Sequence, residues 1–192
     1  MLQIHRLPVL QDNYIWLLHD PATGVTAAVD PAEAEPVLEA LDALGWNLTH
    51  ILNTHHHWDH TGGNLVLKQQ TGCQVYGAER DRDQLPGLDV PLKDGDVVEL
   101  GSLKAQVLGV PGHTLGHIAY WFEADQALFC GDTLFAGSIG RVDLPGGDYE
   151  TLLSSIRGVL YPFGDAAVVH PGHGPDTTIG HERRSNPFLV QA

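Results

Sequence analysis

The chain has 192 residues, 43% of them apolar, and a formal net charge of −14. A chain of this length and composition can bury a core of its own, so we expect a single domain spanning residues 1–192. The strong negative charge argues against nucleic acid and anionic membrane as partners, because phosphate groups are bound by basic surfaces.

Apolar stretches bounded by turn residues predict ten strands, interleaved with three helical patterns. The strands are expected near residues 2–7, 14–19, 25–30, 48–53, 74–76, 97–100, 103–109, 118–122, 127–131 and 166–169. The helices are expected near residues 33–44, 62–71 and 148–160. Strands that alternate with helices predict an α/β protein whose sheets pack face to face and are covered by helices.

Candidate metal ligands lie close together directly after the fourth predicted strand, in the segment T-H-H-H-W-D-H at 54–60. They are His55, His57, Asp59 and His60. His55 and His57 are two residues apart, so they point the same way in an extended chain, while His56 points away and is interpreted as a spacer. Imidazole and carboxylate groups suit divalent first-row metals. A loop at a strand end is also where α/β proteins usually build their sites.

Three further strand ends each carry a histidine or an aspartate beside glycine. The motifs are G-H-T-L-G-H at 112–117, G-D-T at 131–133 and H-P-G-H at 170–173. Glycine lets the backbone turn sharply and approach a ligand closely. One such motif is a weak signal, but four strand ends of this kind in one chain indicate a metal site.

Together these motifs resemble the metallo-β-lactamase superfamily and, within it, glyoxalase II, the hydroxyacylglutathione hydrolases. The resemblance covers nearly the whole chain and implies the four-layer αββα sandwich, with metals at one rim between the sheets. It implies two groups of ligands joined by a bridging carboxylate. One group is His55, His57 and His113, the other is Asp59, His60 and His173, and the bridge is Asp132. His117 and His170 are expected to orient these ligands without touching a metal.

The resemblance is to a short form of the family. Full-length glyoxalase II has a C-terminal helical domain that helps to hold glutathione, whereas this chain ends about twenty residues after His173. At three positions where the family contacts glutathione, Arg141 matches, while Asp143 and Pro175 stand in place of tyrosine. Arg141 is therefore the expected substrate contact.

The implied reaction is thioester hydrolysis, foremost of S-D-lactoylglutathione to D-lactate and glutathione. A hydroxide bridging two divalent metal ions would attack the carbonyl carbon. Zinc is the expected metal, with iron and manganese as alternatives, and Asp59 and Asp132 are the expected catalytic carboxylates. The sequence offers no second acid to protonate a leaving group. That suits a thiolate, since a free thiol has a pKa of about 8.5, and it indicates a small anionic thioester as the partner.

Three alternatives stay open. Persulfide dioxygenation uses mononuclear iron, which His55, His113 and Asp132 could hold, although the ligands for a second metal favour a dinuclear hydrolase. Hydrolysis of β-lactams or other small esters occurs on the same fold, but β-lactamases typically have cysteine or serine where Asp132 stands. A metal-binding protein without turnover is the third, and the glycine-rich segment 137–147, expected to be an open loop beside the metals, argues against it.

The cysteines and the N-terminus bear on localisation. Cys73 and Cys130 lie far apart and are expected to be reduced thiols. The first residues lack a basic region followed by a long apolar stretch, so neither a signal peptide nor a transmembrane span is predicted. We therefore expect a cytoplasmic protein.

Overall fold

The computed structural model describes residues 1–190 and contains two six-stranded sheets packed face to face. The first sheet comprises, in spatial order, β1 (Gln3–Val9), β2 (Asn13–Asp20), β3 (Val25–Val29), β4 (Asn47–Leu52), β5 (Gln74–Ala78) and β6 (Val90–Leu92). The second comprises β14 (Thr177–Thr178), β13 (Val168–Pro171), β10 (Ala127–Gly131), β9 (Ile118–Phe122), β8 (Leu103–Gly109) and β7 (Val97–Leu100). A separate ribbon pairs β11 (Leu134–Phe135) with β12 (Ser138–Ile139).

Helices cover the outer faces of both sheets. They are α1 (Glu35–Leu44), the single turn α2 (Trp58–Thr61), α3 (Asn64–Thr71), α4 (Tyr149–Ser155) and α5 (Ile179–Ser185). A π-helical turn, Ile156–Leu160, continues α4. No helix within residues 1–190 combines the length and the apolar character needed to cross a bilayer. The expected αββα architecture is confirmed.

Three hydrophobic clusters fill the spaces between the four layers. Alternation along β2 explains two of them, because Trp16 packs between the sheets while its neighbour Leu17 packs towards α1 and α3. Tyr120 and Trp121 of β9 divide in the same way between the inter-sheet core and the layer under α4. Strands buried on both faces are continuous apolar runs in the sequence, which is why their positions could be predicted.

Strand direction brings the candidate ligands to one rim. In the first sheet, β4 runs parallel to β3 and β5. In the second sheet, β10 runs parallel to β13 and antiparallel to β9, which is antiparallel to β8. The C-terminal ends of β8, β10 and β13 therefore share one edge, and each is followed by one of the predicted ligand motifs.

All ten predicted strands are present to within a few residues, and the three predicted helices are confirmed with shifted ends. The sequence did not predict β6, β11, β12, β14, α2 or α5. Four of these are strands of two or three residues, too short to show a period of two. The segment 137–147, predicted as a loop, contains β12 before it continues as a loop.

A buried carboxylate ties the turn after β2 to the turn between β7 and β8, and so links the two sheets. Asp20 is almost fully buried and accepts hydrogen bonds from the backbone N–H and the hydroxyl of Ser102, both at 2.7 Å. It also accepts from the Thr23 hydroxyl and the Ala22 N–H. The Ser102 N–H and the Thr23 hydroxyl hold the pKa of Asp20 well below its usual range.

We expect Asp20→Asn to lower Tm by several degrees at pH 7, because an amide nitrogen would face a backbone N–H. The folded pKa is depressed, so the stabilisation by the charged group is complete above the unfolded pKa of about 3.9 and is lost as the pH falls through the folded value. The Tm difference between wild type and variant should therefore shrink below about pH 4. Thermal melts from neutral to acid pH test this, with the exposed Asp42→Asn as control. A difference independent of pH would contradict it.

Candidate metal centre

The predicted ligands converge at the rim where the loops after β4, β8, β10 and β13 meet. Two groups of three side chains bring one ligand atom each to within 4.8 Å of one another. The first group is His55, His57 and His113, and the second is Asp59, His60 and His173. These are the two sets that the family resemblance implies.

Asp132 lies between the two groups. Its Oδ2 is 3.5 Å from the Nε2 of His113 in the first group and 3.4 Å from the Nε2 of His173 in the second. Its Oδ1 is 3.4 Å from the Nε2 of His60. One carboxylate thus faces both groups at once, which is the position required of a bridging ligand.

The polar atoms at the centre are buried without partners, which fits a cation among them. His55 Nε2, His60 Nε2 and Asp132 Oδ1 are inaccessible and form no hydrogen bond within the described chain. The Nε2 of His113 and the Nδ1 of His57 lie 3.0 Å apart, so a proton on His57 Nδ1 can bridge them when no metal is bound. Leaving buried polar groups unsatisfied costs free energy, and a divalent ion accepts their lone pairs directly. The residues present therefore fit divalent metal ions.

In four of the five histidines of the two groups, the second ring nitrogen hydrogen-bonds to a residue outside the groups. The Nδ1 partners are the Arg141 carbonyl for His113 at 2.7 Å, Asp12 for His173 at 3.0 Å, Asp30 for His60 at 3.1 Å and the Thr54 hydroxyl for His55 at 3.0 Å. A hydrogen bond of this kind fixes the tautomer and turns the Nε2 lone pair towards a metal. His57 differs, since it turns its Nδ1 towards the centre.

The sequence analysis did not identify three residues that form hydrogen bonds or ion pairs with the predicted ligands. Asn13 donates to the Asp59 carboxylate at 3.0 Å, Asp12 pairs with His173, and Asp30 pairs with His60. Asp30 also accepts from the Thr54 N–H and hydroxyl, both at 2.7 Å. Asp30 has a left-handed backbone with φ of 49°, a conformation uncommon outside glycine. An aspartate before proline at a strand end was the only local signal for it.

Asp30 also approaches His55 and His60 closely enough to form a third possible ligand group. Both of its oxygens are already used by Thr54 and His60, so it orients ligands instead of binding a metal.

The charges of the two groups differ. Burial holds the pKa of His55 well below its usual range and, together with the His113 ring, lowers that of His57 to about 4. Burial also opposes the charged form of His173, but Asp132 and Asp59 outweigh it and raise its pKa to about 10. The first group thus presents neutral nitrogens, whereas the second attracts a positive charge.

Glycine permits the close approach of these loops. Gly131 has φ of 48°, and a Cβ there would collide with the Thr54 hydroxyl. A Cβ on Gly172 would lie 2.6 Å from both Asp132 Oδ1 and His60 Cε1. A larger side chain at Gly172 would displace Asp132 or His60, and one at Gly131 would displace Thr54, which hydrogen-bonds to His55.

His117 and His170, which were predicted to orient the ligands, have different surroundings. The His117 ring stacks on His55 and its Nε2 accepts from the Asp132 N–H at 3.2 Å, so it supports two ligands. His170 stacks on Phe129 and packs against Trp16 under the sheet edge. Its support of the ligands therefore stays a prediction.

Two residues near the centre face away from the metals. His56 pairs with Asp81 through Nδ1 at 2.9 Å. Cys130 is buried, with its sulfur near the Leu134 carbonyl, and burial raises the pKa of its thiol to about 12. It behaves as a packing residue.

Three cavities open beside the centre. One, of about 410 Å³, is lined by Asp132, His173, Phe135 and Arg141. The Arg141 guanidinium in it forms two 2.7 Å hydrogen bonds with Asp143, and both side chains are exposed. A second cavity, of about 550 Å³, begins at His57, and a third, of about 400 Å³, is lined by Asp59 and His173. The predicted ligands are thus accessible from three cavities.

Comparison with known proteins is consistent with this geometry. The profile of a family described as the metallo-beta-lactamase superfamily matches residues 9–173. The chain is 66% identical over 142 residues to a hydroxyacylglutathione hydrolase from Methylococcus capsulatus, which covers 74% of this chain and 56% of that protein. It is 44% identical to a protein of the same name from a Synechococcus strain, covering 98% of this chain and 88% of that protein. The chain thus spans about half the length of the first relative.

Solved structures share the whole fold. The crystal structure of BLEG-1 B3 metallo-beta-lactamase superposes with a TM-score of 0.91 at 30% identity, covering 98% of this chain and 100% of that one. TTHA1623 in a di-iron-bound form superposes with a TM-score of 0.85 at 32% identity, covering 96% of this chain and 100% of that one.

We expect Asp30→Asn to weaken binding of the second metal ion by about 10–100-fold. The amide oxygen must accept from the Thr54 N–H, so the NH₂ group faces His60 Nδ1 and forces the proton onto Nε2. Titration of the metal-free protein with zinc, followed by calorimetry, measures both affinities. The exposed Asp83→Asn is the control for charge. Unchanged binding of both ions by Asp30→Asn would contradict the orienting role.

Proposed function

Because the chain belongs to the metallo-β-lactamase superfamily, we propose that it is a metal-dependent thioester hydrolase that converts S-D-lactoylglutathione to D-lactate and glutathione. The observation that carries the proposal is the pair of ligand groups joined by Asp132. The relatives named hydroxyacylglutathione hydrolase support the choice of thioester. We further propose that the one domain spanning residues 1–192 carries the activity.

The proposed cofactors are two divalent ions, with zinc first and iron or manganese as alternatives. The ligand set of histidine and carboxylate suits all three metals. The di-iron-bound neighbour supports iron. When bound, such ions lower the pKa of water so that a nucleophile forms at neutral pH, and they polarise a carbonyl group.

In this proposal, the protein's own residues supply position and proton transfer. Asp132 fixes the distance between the two ligand groups and, as a carboxylate facing both, is placed to take a proton after attack on the carbonyl carbon. Asn13 holds Asp59 through its carboxylate and its backbone carbonyl, at 3.0 and 3.1 Å. The catalytic role of Asp59 and Asp132 is thus one of orientation and proton transfer combined with metal binding.

Arg141 is proposed to contact the substrate from the cavity it shares with His173. Its ion pair with Asp143 is exposed to solvent, and such pairs contribute little to stability. A substrate carboxylate could therefore displace Asp143 at small cost. The proposed partner is a small anionic thioester, and the two free, buried cysteines are compatible with a cytoplasmic setting.

β-Lactam hydrolysis is the second candidate, favoured by the likeness to BLEG-1 B3 metallo-beta-lactamase over the full length of that chain. A thiolate leaves without protonation more readily than an amide nitrogen, which favours the thioester. Persulfide dioxygenation with mononuclear iron is disfavoured, because the second ligand group is complete and oriented.

The proposal is tested by loading the protein separately with zinc, iron or manganese and following S-D-lactoylglutathione and a chromogenic cephalosporin. We expect thioester turnover with a kcat/KM at least about 10⁴ M⁻¹s⁻¹, and much slower β-lactam cleavage. Preferential cephalosporin cleavage would replace the first candidate by the second. Absence of thioester turnover with two metals bound would refute the proposal, and oxygen uptake with glutathione persulfide and iron would favour the dioxygenase.

Asp132→Ala is expected to reduce kcat by at least about 10³-fold, because a bridging carboxylate contributes several kcal/mol through the metals it positions. Metal content should fall from two ions towards one. Elemental analysis and kinetics of the same preparation measure both effects, with the exposed Asp83→Ala as control. Full activity with two ions in Asp132→Ala would exclude the bridged mechanism.

A further inference from the structure

The outer side of the segment from α2 to α3 carries exposed apolar side chains. Trp58 is 73% exposed and Leu65 is 58% exposed, and after Met1 these are the two highest values among the large apolar residues of positions 1–190. Val66 beside them is 44% exposed. Leu10, also 44% exposed, lines the same cavity as Trp58. Apolar side chains exposed singly are ordinary, whereas a contiguous patch of them marks an interaction site.

A nearly continuous helical path places these side chains on one face. Gly62 and Gly63, which separate α2 from α3, both have right-handed helical dihedral angles, with φ of −59° and −83°. The Gly62 N–H donates to the Trp58 carbonyl at 2.9 Å, as in an α-helix. Residues seven apart on such a path lie on the same side, two turns apart. Trp58, Leu65 and Val66 therefore form one patch, the Trp58–Leu65 face, and the exposed Gly62 adds no side chain to it.

The Trp58–Leu65 face carries no free charge. The exposed residues that continue it along α3 are Gln69 and Gln70. Lys68, the one charged residue of α3, forms an ion pair with Asp89. Asp59 of α2 belongs to the second ligand group and faces the metal centre. The outer side of this segment is thus apolar and neutral.

A second copy of the chain is the partner that fits a neutral face. The net charge of −14 makes two copies repel each other wherever exposed carboxylates meet. The other helix on this sheet, α1, exposes Glu35, Glu39 and Asp42 and could not face itself without such repulsion. In a two-fold dimer each copy presents the same surface to the other. Self-association therefore requires an uncharged patch, and the Trp58–Leu65 face is one.

We propose that the chain forms a homodimer in which the Trp58–Leu65 face packs against the same face of a second copy. Tryptophan is among the residues that contribute most to the binding energy of protein interfaces. The cavities at Arg141 and at His57 contain no residue of this face, so the contact lies outside both of them. The inference is therefore independent of the proposed reaction.

Sedimentation velocity on the full chain tests the proposal at about 1 to 100 μM, a range that brackets the Kd of a small reversible interface. We expect the wild type to pass from monomer to dimer in this range. Leu65→Glu should raise Kd at least about 100-fold, because like charges would face each other across the two-fold axis. Val97→Glu is the matched control, since Val97 is 55% exposed on β7 of the other sheet, and it should dimerise as the wild type does. A mixture of Leu65→Glu and Leu65→Lys should associate more tightly than either variant alone.

Quenching of tryptophan fluorescence by acrylamide shows whether this face is the contact. Trp16 and Trp121 are buried and Trp46 is half-buried, so Trp58 dominates the quenching. Trp58 should become less accessible to acrylamide as the wild type associates, and it should stay accessible in Leu65→Glu.

A wild type that stays monomeric at the highest concentration would overturn the proposal. A dimer that Leu65→Glu weakens no more than Val97→Glu does would also overturn it, as would association that leaves Trp58 accessible. Monomers that bind neutral phosphatidylcholine vesicles through this face would assign it to a membrane surface and equally overturn the homodimer.

Discussion

Nitrogen and oxygen lone pairs converge at one rim of the sandwich, and they repel one another unless a positive charge lies among them. His55 Nε2, His60 Nε2 and Asp132 Oδ1 show the conflict most directly, because they are buried and form no hydrogen bond within residues 1–190. Buried polar atoms without partners destabilise a protein, so this arrangement is stable only with metal ions or protons in place. The surrounding hydrogen bonds turn the lone pairs inward, and the rest of the site depends on that orientation.

The two sheets meet at this centre. The loop after β4 and the turn α2 bring four predicted ligands from the first sheet, and the loops after β8, β10 and β13 bring three from the second. The same rim is joined by hydrogen bonds from the Tyr14 N–H to the Gly172 carbonyl and from the Trp16 indole to the Pro171 carbonyl, both at 2.9 Å. Metal binding and sheet packing therefore stabilise the same native arrangement, since ions that bind only the folded state add to its stability.

The layers, and the convergence of the predicted ligands at one rim, could be predicted from the sequence because both depend on local patterns. Strands buried on both faces are long apolar runs, and the predicted ligands follow strand ends, three of them directly beside glycine. The residues that orient the ligands were not predictable in this way. Asn13 and Asp59 are 46 residues apart in the chain, and Asp30 lies 30 residues before His60. Such pairs exist only once both sheets have formed, and no spacing rule marks them.

Because the chain is strongly acidic, an anionic substrate has to be recognised by groups close to the metal centre. A net charge of −14 disfavours the approach of an anion, yet salt screens exposed charges beyond about 8 Å at physiological ionic strength. The groups within that distance therefore decide whether a carboxylate binds. Two divalent ions, as proposed, would add about four positive charges at the centre, and Arg141 lines a cavity beside it. An acidic protein can thus take an anionic substrate, provided that positive charges line the site.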